Sequence, residues 1–262
     1  MNWTAAWKNA ELIASRYFLL ALSAYLIFYL VFRNKWLYKK IQQRFPRSGD
    51  YFREIGYSLI TMVIFSLVSS FIFTSPLLRP HTTFYKNISD HGWVYYFAIF
   101  PLMLFIHDTY FYFLHRLMHH KKIFNLVHLV HHKSTNPSPW AAYSFHPIEA
   151  FIEIGVLFIF AFTFPIHRTH LLIFFFFMIV YNVYGHLGYE LYPKGFQRTW
   201  IGRWVNTSVN HNQHHQYFKG NYGLYFLFWD RIFGTIREDY DSRFDEVKER
   251  KPAQYAKAAS LT

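Results

Sequence analysis

No cysteine occurs among the 262 residues, which excludes disulfides, thiolate metal ligands and a cysteine nucleophile. Any bound metal must therefore use nitrogen or oxygen. Acidic residues are also scarce: 15 Asp and Glu against 27 Lys and Arg give a formal charge of +12, a balance that suits either nucleic acid or an anionic membrane surface. There is no helical His-Glu-x-x-His, no Gly-x-Ser-x-Gly elbow and no glycine-rich dinucleotide fingerprint after a strand, so zinc-peptidase, serine-hydrolase and self-contained nicotinamide chemistry lose ground. No long Gly/Ser linker, internal repeat or second apolar core divides the chain. The first apolar run lacks a basic flank before it and a small-residue cleavage site, which marks it as a retained anchor rather than a signal peptide.

Apolar and aromatic residues are in excess. The chain is 53% hydrophobic and 23% aromatic, with 31 Phe and 21 Tyr, more than one soluble core of this length needs. These residues fall in runs, which decides for membrane and against nucleic acid. Leu12 to Phe32 is interrupted only by Arg16, and Ile55 to Phe73 carries no charge; each is long enough to span one hydrocarbon core. Trp93 to Leu114 stays apolar until His107 and Asp108, which must face a bundle interior. Ile148 to Ile166 and Leu171 to Tyr184 suggest a tight helical hairpin whose second arm is short for a full span. Between the first two runs lie Arg33, Lys35, Lys39, Lys40, Arg44, Arg47 and Arg53 against Asp50 and Glu54. That loop is expected in the cytoplasm. Counting crossings from it brings every histidine cluster to the same cytoplasmic face. From Arg237 the chain turns polar and charged, so one membrane-embedded domain over 1–236 is expected, with a soluble tail over 237–262.

The histidines are patterned. His115 and His119 stand at i and i+4, one turn apart on one helix face, a spacing at which both can bind one metal. His128, His131 and His132 follow at i, i+3, i+4, and His211, His214 and His215 repeat that spacing. Scattered at random, sixteen histidines would give on the order of 0.06 copies of this five-residue pattern, so two copies are not an accident of composition. His186 ends the hairpin's second arm at the same expected depth. Nine imidazoles are too many for one tetrahedral zinc and suit two metals with open positions. Around them, His107, Asp108, His146, Glu149 and Asn182 are candidates for orienting the ligands. His107 and Asp108 serve equally well as a buried pair that fixes helix packing. His146 is equally a substrate-mouth residue or a helix-start histidine before Pro147. No catalytic group beyond the metal site and no organic cofactor site is expected.

Imidazole suits zinc, copper, iron and nickel alike. Two irons at the membrane boundary would reduce dioxygen and take hydrogen from an unactivated alkyl carbon supplied by the bilayer. A non-enzymatic membrane metal-binding protein or transporter is the alternative, disfavoured because the ligands gather at one end of the bundle rather than along a path. With no haem domain or dinucleotide site of its own, the oxidase reading requires an external electron donor docking on the cytoplasmic face.

These residues resemble the sterol desaturase and fatty acid hydroxylase superfamily of membrane di-iron oxidases, over 107–236. Its members carry His-x-x-x-His, His-x-x-His-His and a second His-x-x-His-His in this order, matching His115/His119, His128/His131/His132 and His211/His214/His215. The contexts Asp108-Thr-Tyr-Phe-Tyr-Phe-Leu-His115-Arg, Phe145-His146-Pro147-Ile148-Glu149, Asn221-Tyr-Gly-Leu and Trp229-Asp230-Arg231-Ile-Phe-Gly234-Thr are similar to stretches of sterol C5-desaturases. The resemblance implies two bound iron ions, with zinc as an ion a purified sample can carry instead. It also implies dioxygen as co-substrate, hydroxylation or desaturation of a sterol-like or fatty acyl lipid, and residence in a bacterial inner membrane or the endoplasmic reticulum. The expected fold is all-α, with about four transmembrane helices, or three plus a hairpin, beneath a cytosolic helical cap. In some lipid hydroxylases of the superfamily a histidine stands where this chain has Asn182.

Overall fold

In hydrocarbon every backbone N–H and C=O must be satisfied within its own segment, so apolar runs of this length wind into helices. The computed structural model describes residues 2–252. Its helices are α1 (Trp3–Tyr25), α2 (Ser48–Thr74), α3 (Gly92–Met118), the one-turn α4 (Phe124–Val127) and α5 (Leu129–His132), α6 (Pro147–Ile154), α7 (Val156–Thr163), α8 (Arg168–Gly185), α9 (Ser208–Tyr217), α10 (Phe228–Ile232) and α11 (Tyr240–Glu249). The end of α1 widens into a π-helical stretch, Leu26–Val31. Four helices are long and apolar enough to cross a membrane: Trp3–Val31, Ser48–Thr74, Gly92–Met118 and Arg168–Gly185. The protein is an integral membrane protein with a mostly helical fold.

The two arms of the expected hairpin differ in the opposite sense to their apolar lengths. The shorter run becomes α8, an unbroken 18-residue helix. The longer one splits at Gly155 into the eight-residue α6 and α7. Tyr110 Oη donates to the Ile152 carbonyl at 2.6 Å, from α3 into the break. A Cβ at Gly155 would overlap that hydroxyl. Gly155→Ala is therefore expected to destabilise the protein by about 1–3 kcal/mol, as overpacking of a filled site does, and thermal unfolding in detergent measures it.

Hydroxyl groups on α1 and α2 grip the loops that lead to the histidines. Tyr17 Oη and Ser58 Oγ both donate to the Trp140 carbonyl, at 2.8 and 3.0 Å. Tyr29 Oη donates to the Leu187 carbonyl at 2.9 Å, immediately after His186. At the other end of the bundle, β1 (Phe84–Tyr85) pairs in parallel with β2 (Ile166–His167) and ties the α2–α3 loop to the start of α8. The charged segment after Ile236 contributes α11, whose Tyr240, Phe244 and Val247 are buried with Ile41, Val209 and Leu227. That helix packs against α9, so this part of the 237–262 segment belongs to the folded body. Residues 253–262 lie outside the described residues.

Candidate metal centre

Four stretches of chain converge at one end of the bundle. The last turn of α3 carries His115 and ends on His119, whose N–H donates to the His115 carbonyl at 3.1 Å. α4 and α5 are separated at His128, and α5 ends on His131 and His132. His186 caps the C-terminus of α8. α9 carries His211, His214 and His215, and from Ser208 to His215 every residue is buried although the helix is mostly polar. Its first turn is held by Thr207 Oγ1, which accepts from Asn210 N at 3.2 Å, and by the buried Glu190 carboxylate, which accepts from Val209 N at 3.0 Å. These caps satisfy N–H groups that a helix start otherwise leaves unpaired. The helix ends at Phe218 in the left-handed region, φ 61°, an uncommon conformation for a bulky residue. There the Phe218 ring packs 5.0 Å from that of His132.

The nine imidazoles form two cages. His115, His119, His128, His132 and His214 make one, and His131, His186, His211 and His215 the other; the ligand nitrogens of each lie within 4.8 Å of one another. The two five-residue motifs are split between them. His128 and His132 enter the first cage while His131 enters the second; His211 and His215 enter the second while His214 enters the first. Residues four apart share a helix face, and the third member, turned away from its neighbour by about 100°, reaches the other cage.

Hydrogen bonds set the tautomers. Nδ1 of His115 meets the Tyr222 carbonyl at 2.9 Å, and Nδ1 of His214 the Gly220 carbonyl at 2.7 Å. In the other cage, Nδ1 of His131, His186 and His215 meets the carbonyls of Ser144, Asn182 and Ser134 at 3.3, 2.8 and 3.0 Å. A carbonyl only accepts, so each of these Nδ1 atoms carries the proton and Nε2 offers a bare lone pair. In the four-histidine cage those lone pairs face each other: Nε2 of His186 lies 3.3, 3.0 and 3.1 Å from Nε2 of His131, His211 and His215. In the other, Nε2 of His119 and His214 are 3.2 Å apart, and Nε2 of His115, His128 and His132 are buried with no hydrogen-bond partner. Two nitrogens bound to one ion at about 2.0–2.1 Å, with angles between right and tetrahedral, stand about 2.8–3.4 Å apart. Hydrogen bonding cannot account for the contacts among His131, His186 and His215, since no proton remains to share. A cation in each cage accounts for all of them, and the donor set fits two metal ions.

Electrostatics agree. Burial, with neighbouring imidazoles adding to it, holds His128, His131, His132, His211, His214 and His215 well below the ordinary histidine range. Burial also lowers His186, to about 4. All are neutral and ready to ligate near pH 7. A depressed pKa means that the unfolded chain takes up protons first. The contribution of these groups to stability is therefore complete above about pH 6.5 and falls as the pH drops from there toward about 4, where protons also compete with metal for the imidazoles. Metal retention and unfolding temperature followed across that window are expected to decline together.

The comparisons with known proteins agree with this geometry. Residues 100–235 match the family model described as fatty acid hydroxylase. The chain belongs to the fatty acid hydroxylase family. Similar proteins include a Delta(7)-sterol 5(6)-desaturase of Gibberella zeae, 31% identical over 223 residues that make up 84% of this chain and 65% of that protein. Lathosterol oxidase of Mus musculus is 30% identical over 71% of this chain and 60% of its own length. The rat enzyme of the same name is 28% identical over 89% of this chain and 79% of its own. The chain thus spans less than two thirds of the first two relatives. No solved structure matches.

Of the residues expected to orient ligands, Glu149 touches one directly: its Oε1 lies 2.6 Å from His128 Nδ1, both groups buried. Asn182 acts through its backbone carbonyl on His186, while its side chain donates to the Ala142 carbonyl at 2.8 Å. His107 Nδ1 pairs with Tyr225 Oη at 3.0 Å, and Asp108 Oδ1 accepts from Tyr225 N and Phe226 N at 2.8 and 3.1 Å. These two hold the loop whose Gly220 and Tyr222 carbonyls orient His214 and His115. Asp230 does the same from the other side, accepting from Tyr222 N and Gly223 N at 2.9 and 2.7 Å. His146 instead caps α6, its Nδ1 accepting from Ile148 N at 3.3 Å. Sequence reasoning assigned no role to Glu190 or Asp230; the Trp-Asp-Arg context was the one available signal. The five orienting carbonyls had none, since every residue carries a carbonyl.

Proposed function

We propose that this chain is a membrane-bound oxidoreductase that uses dioxygen and two iron ions, one per histidine cage, to hydroxylate or desaturate a lipid. The observation that carries this reading is the pair of buried, all-imidazole cages with facing lone pairs at the end of four apolar helices. The relatives' names, a sterol desaturase and lathosterol oxidases, support oxidative lipid chemistry of this class. Iron held by neutral nitrogen donors supplies the redox chemistry that takes hydrogen from an alkyl carbon.

The chain's residues supply position and protection. Of the nine ligands His115, His119, His128, His131, His132, His186, His211, His214 and His215, five are held by backbone carbonyls and His128 by Glu149, so little reorganisation of these six is needed when metal binds. The apolar bundle brings lipid and not water to the site. Electrons come from a separate donor protein docking on the histidine-bearing face, which we place in the cytoplasm from the seven cations between α1 and α2.

Elemental mass spectrometry of detergent-purified protein tests the metal. The expected result is about two iron atoms per chain, falling to about one in the double variant His214→Ala, His215→Ala, which leaves four ligands in the first cage and three in the second. A single stable zinc, unchanged after reconstitution with ferrous iron under anaerobic conditions, would overturn the di-iron reading.

A further inference from the structure

The short helix α10 lies against a membrane-spanning one. Phe228 is 6.4 Å from Phe105 of α3, Trp229 Nε1 donates to Thr109 Oγ1 at 3.0 Å, and the Phe233 ring is 5.7 Å from that of Phe113. Counted along α3 from Trp93, Phe105 and Phe113 stand about 18 and 30 Å away, in the half of a hydrocarbon core nearer the histidines. Both are exposed, as side chains that meet lipid are, and the exposed Phe228, Ile232 and Phe233 continue their apolar surface. This part of the cap therefore shares the depth of a spanning helix.

The α8–α9 loop reaches the same place. Leu227 N donates to the Trp204 carbonyl at 2.8 Å, and the Trp204 and Phe228 rings are 6.4 Å apart. Trp200 and Ile201 form the loop's tip, 81% and 59% exposed. The turn that presents them is closed by Gly202 N donating to Thr199 Oγ1 and Trp204 N to the Ile201 carbonyl, both at 2.9 Å. Arg203 and Arg231 flank Trp204, their guanidinium carbons 5.0 and 5.7 Å from its ring. Neither forms an ion pair among the described residues. Asp230, next to Arg231, is buried and spent on Tyr222 N and Gly223 N. Exposed tryptophans, a continuous apolar surface and uncompensated arginines are the composition of a membrane interface rather than of a face in water.

We propose that residues 200–204 and α10 form an interfacial anchor, seated in the leaflet on the histidine-bearing side, that holds an anionic phospholipid. The lipid's phosphate pairs with Arg203 and Arg231 by charge-assisted hydrogen bonds, and its chains lie against Ile201, Phe228 and Ile232. Phosphatidylcholine carries the same phosphate but a cation beside it, which two arginines repel, so a net negative lipid is preferred. The anchor is independent of the oxidase reading, since it concerns where the cap sits and not what the cages bind. It fixes to the membrane the segment that joins His186 to the helix carrying His211.

Because the chain has no cysteine, a fluorophore on Ile201→Cys reports without background. The full chain carrying it is placed in phosphatidylcholine nanodiscs, and quenching is compared for chain-spin-labelled phosphatidylglycerol, chain-spin-labelled phosphatidylcholine and aqueous iodide. The label is expected to be shielded from iodide and quenched by both lipids, with phosphatidylglycerol favoured about tenfold or more, as two basic side chains at an anionic surface supply. Adding Arg203→Gln and Arg231→Gln is expected to abolish that preference while the shielding stays, and Arg203→Lys with Arg231→Lys to retain most of it. Should the glutamine pair not fold, Arg203→Gln alone is expected to lose about threefold. Ready quenching by iodide and none by lipid would put the segment in water and overturn the anchor. Equal quenching by the two lipids before any arginine is changed would overturn the anionic site. Dipolar coupling between spin labels at Ile201→Cys of two chains would show that a second copy covers this surface, and would overturn both.

Discussion

His186→Ala is expected to release one metal ion per chain and leave the other bound. The four-histidine cage holds its ion with His131, His186, His211 and His215, and Nε2 of His186 is the atom that all three partners face at 3.0 to 3.3 Å. Removing it leaves three ligands and a gap. In the other cage, His119 is one of five and the least buried of the nine, so His119→Ala leaves four imidazoles, a full tetrahedral set. Metal analysis of the two variants side by side is therefore expected to give about one ion per chain for His186→Ala and nearly two for His119→Ala. Turnover of the His186 variant is expected to drop by about a hundredfold or more, since the proposed reaction uses both ions. Equal losses in the two variants would show that the cages do not act as a four and a five.

Glu149→Gln is expected to weaken metal binding without dismantling the fold. Its carboxylate sits 2.6 Å from His128 Nδ1, and both groups are almost wholly buried. A ligand histidine whose second nitrogen meets a carboxylate is fixed in orientation and made more basic, and loss of such a partner costs about 10–100-fold in metal affinity or activity. Gln keeps the volume and one acceptor oxygen but not the charge, so the expected loss lies toward the lower end of that range. Glu149→Ala removes the acceptor too and leaves Nδ1–H unpaired in a dry site, which costs a further 1–3 kcal/mol or so of stability. Competition with a chelator reads the first effect, and thermal unfolding of the metal-free variants reads the second. A Glu149→Gln protein with unchanged chelator resistance would mean that the backbone carbonyls alone orient the cage.

The two largest effects lie at residues that stood out to different degrees before the fold was known. His186 stood alone, without a motif, and entered the ligand set through its depth and the resemblance. Glu149 was one of five candidates for orienting the ligands, next to His146, which served equally as an orienting, substrate-mouth or helix-start residue; the structure puts Glu149 on His128 and His146 at the start of α6. The difference is one of direction: Glu149 lies inside the first turn of α6 and points to the centre, while the residue capping the helix spends its side chain on an N–H.

The number of candidate spans, membrane embedding and eight of the nine clustered histidines followed from local pattern, because a 3.6-residue period and a long apolar run act within a few turns of chain. How the motifs divide was settled only by the tertiary structure. His131 and His132 are adjacent, yet one completes a cage with α8 and the other a cage with α3. Spacing requires that they diverge, but which remote helix waits in each direction depends on how the bundle packs. The carbonyls of Ser134, Ser144, Asn182, Gly220 and Tyr222 that fix the tautomers leave no trace in side-chain identity at all. A backbone acceptor exists at every residue, and only its placement opposite an imidazole gives it a role.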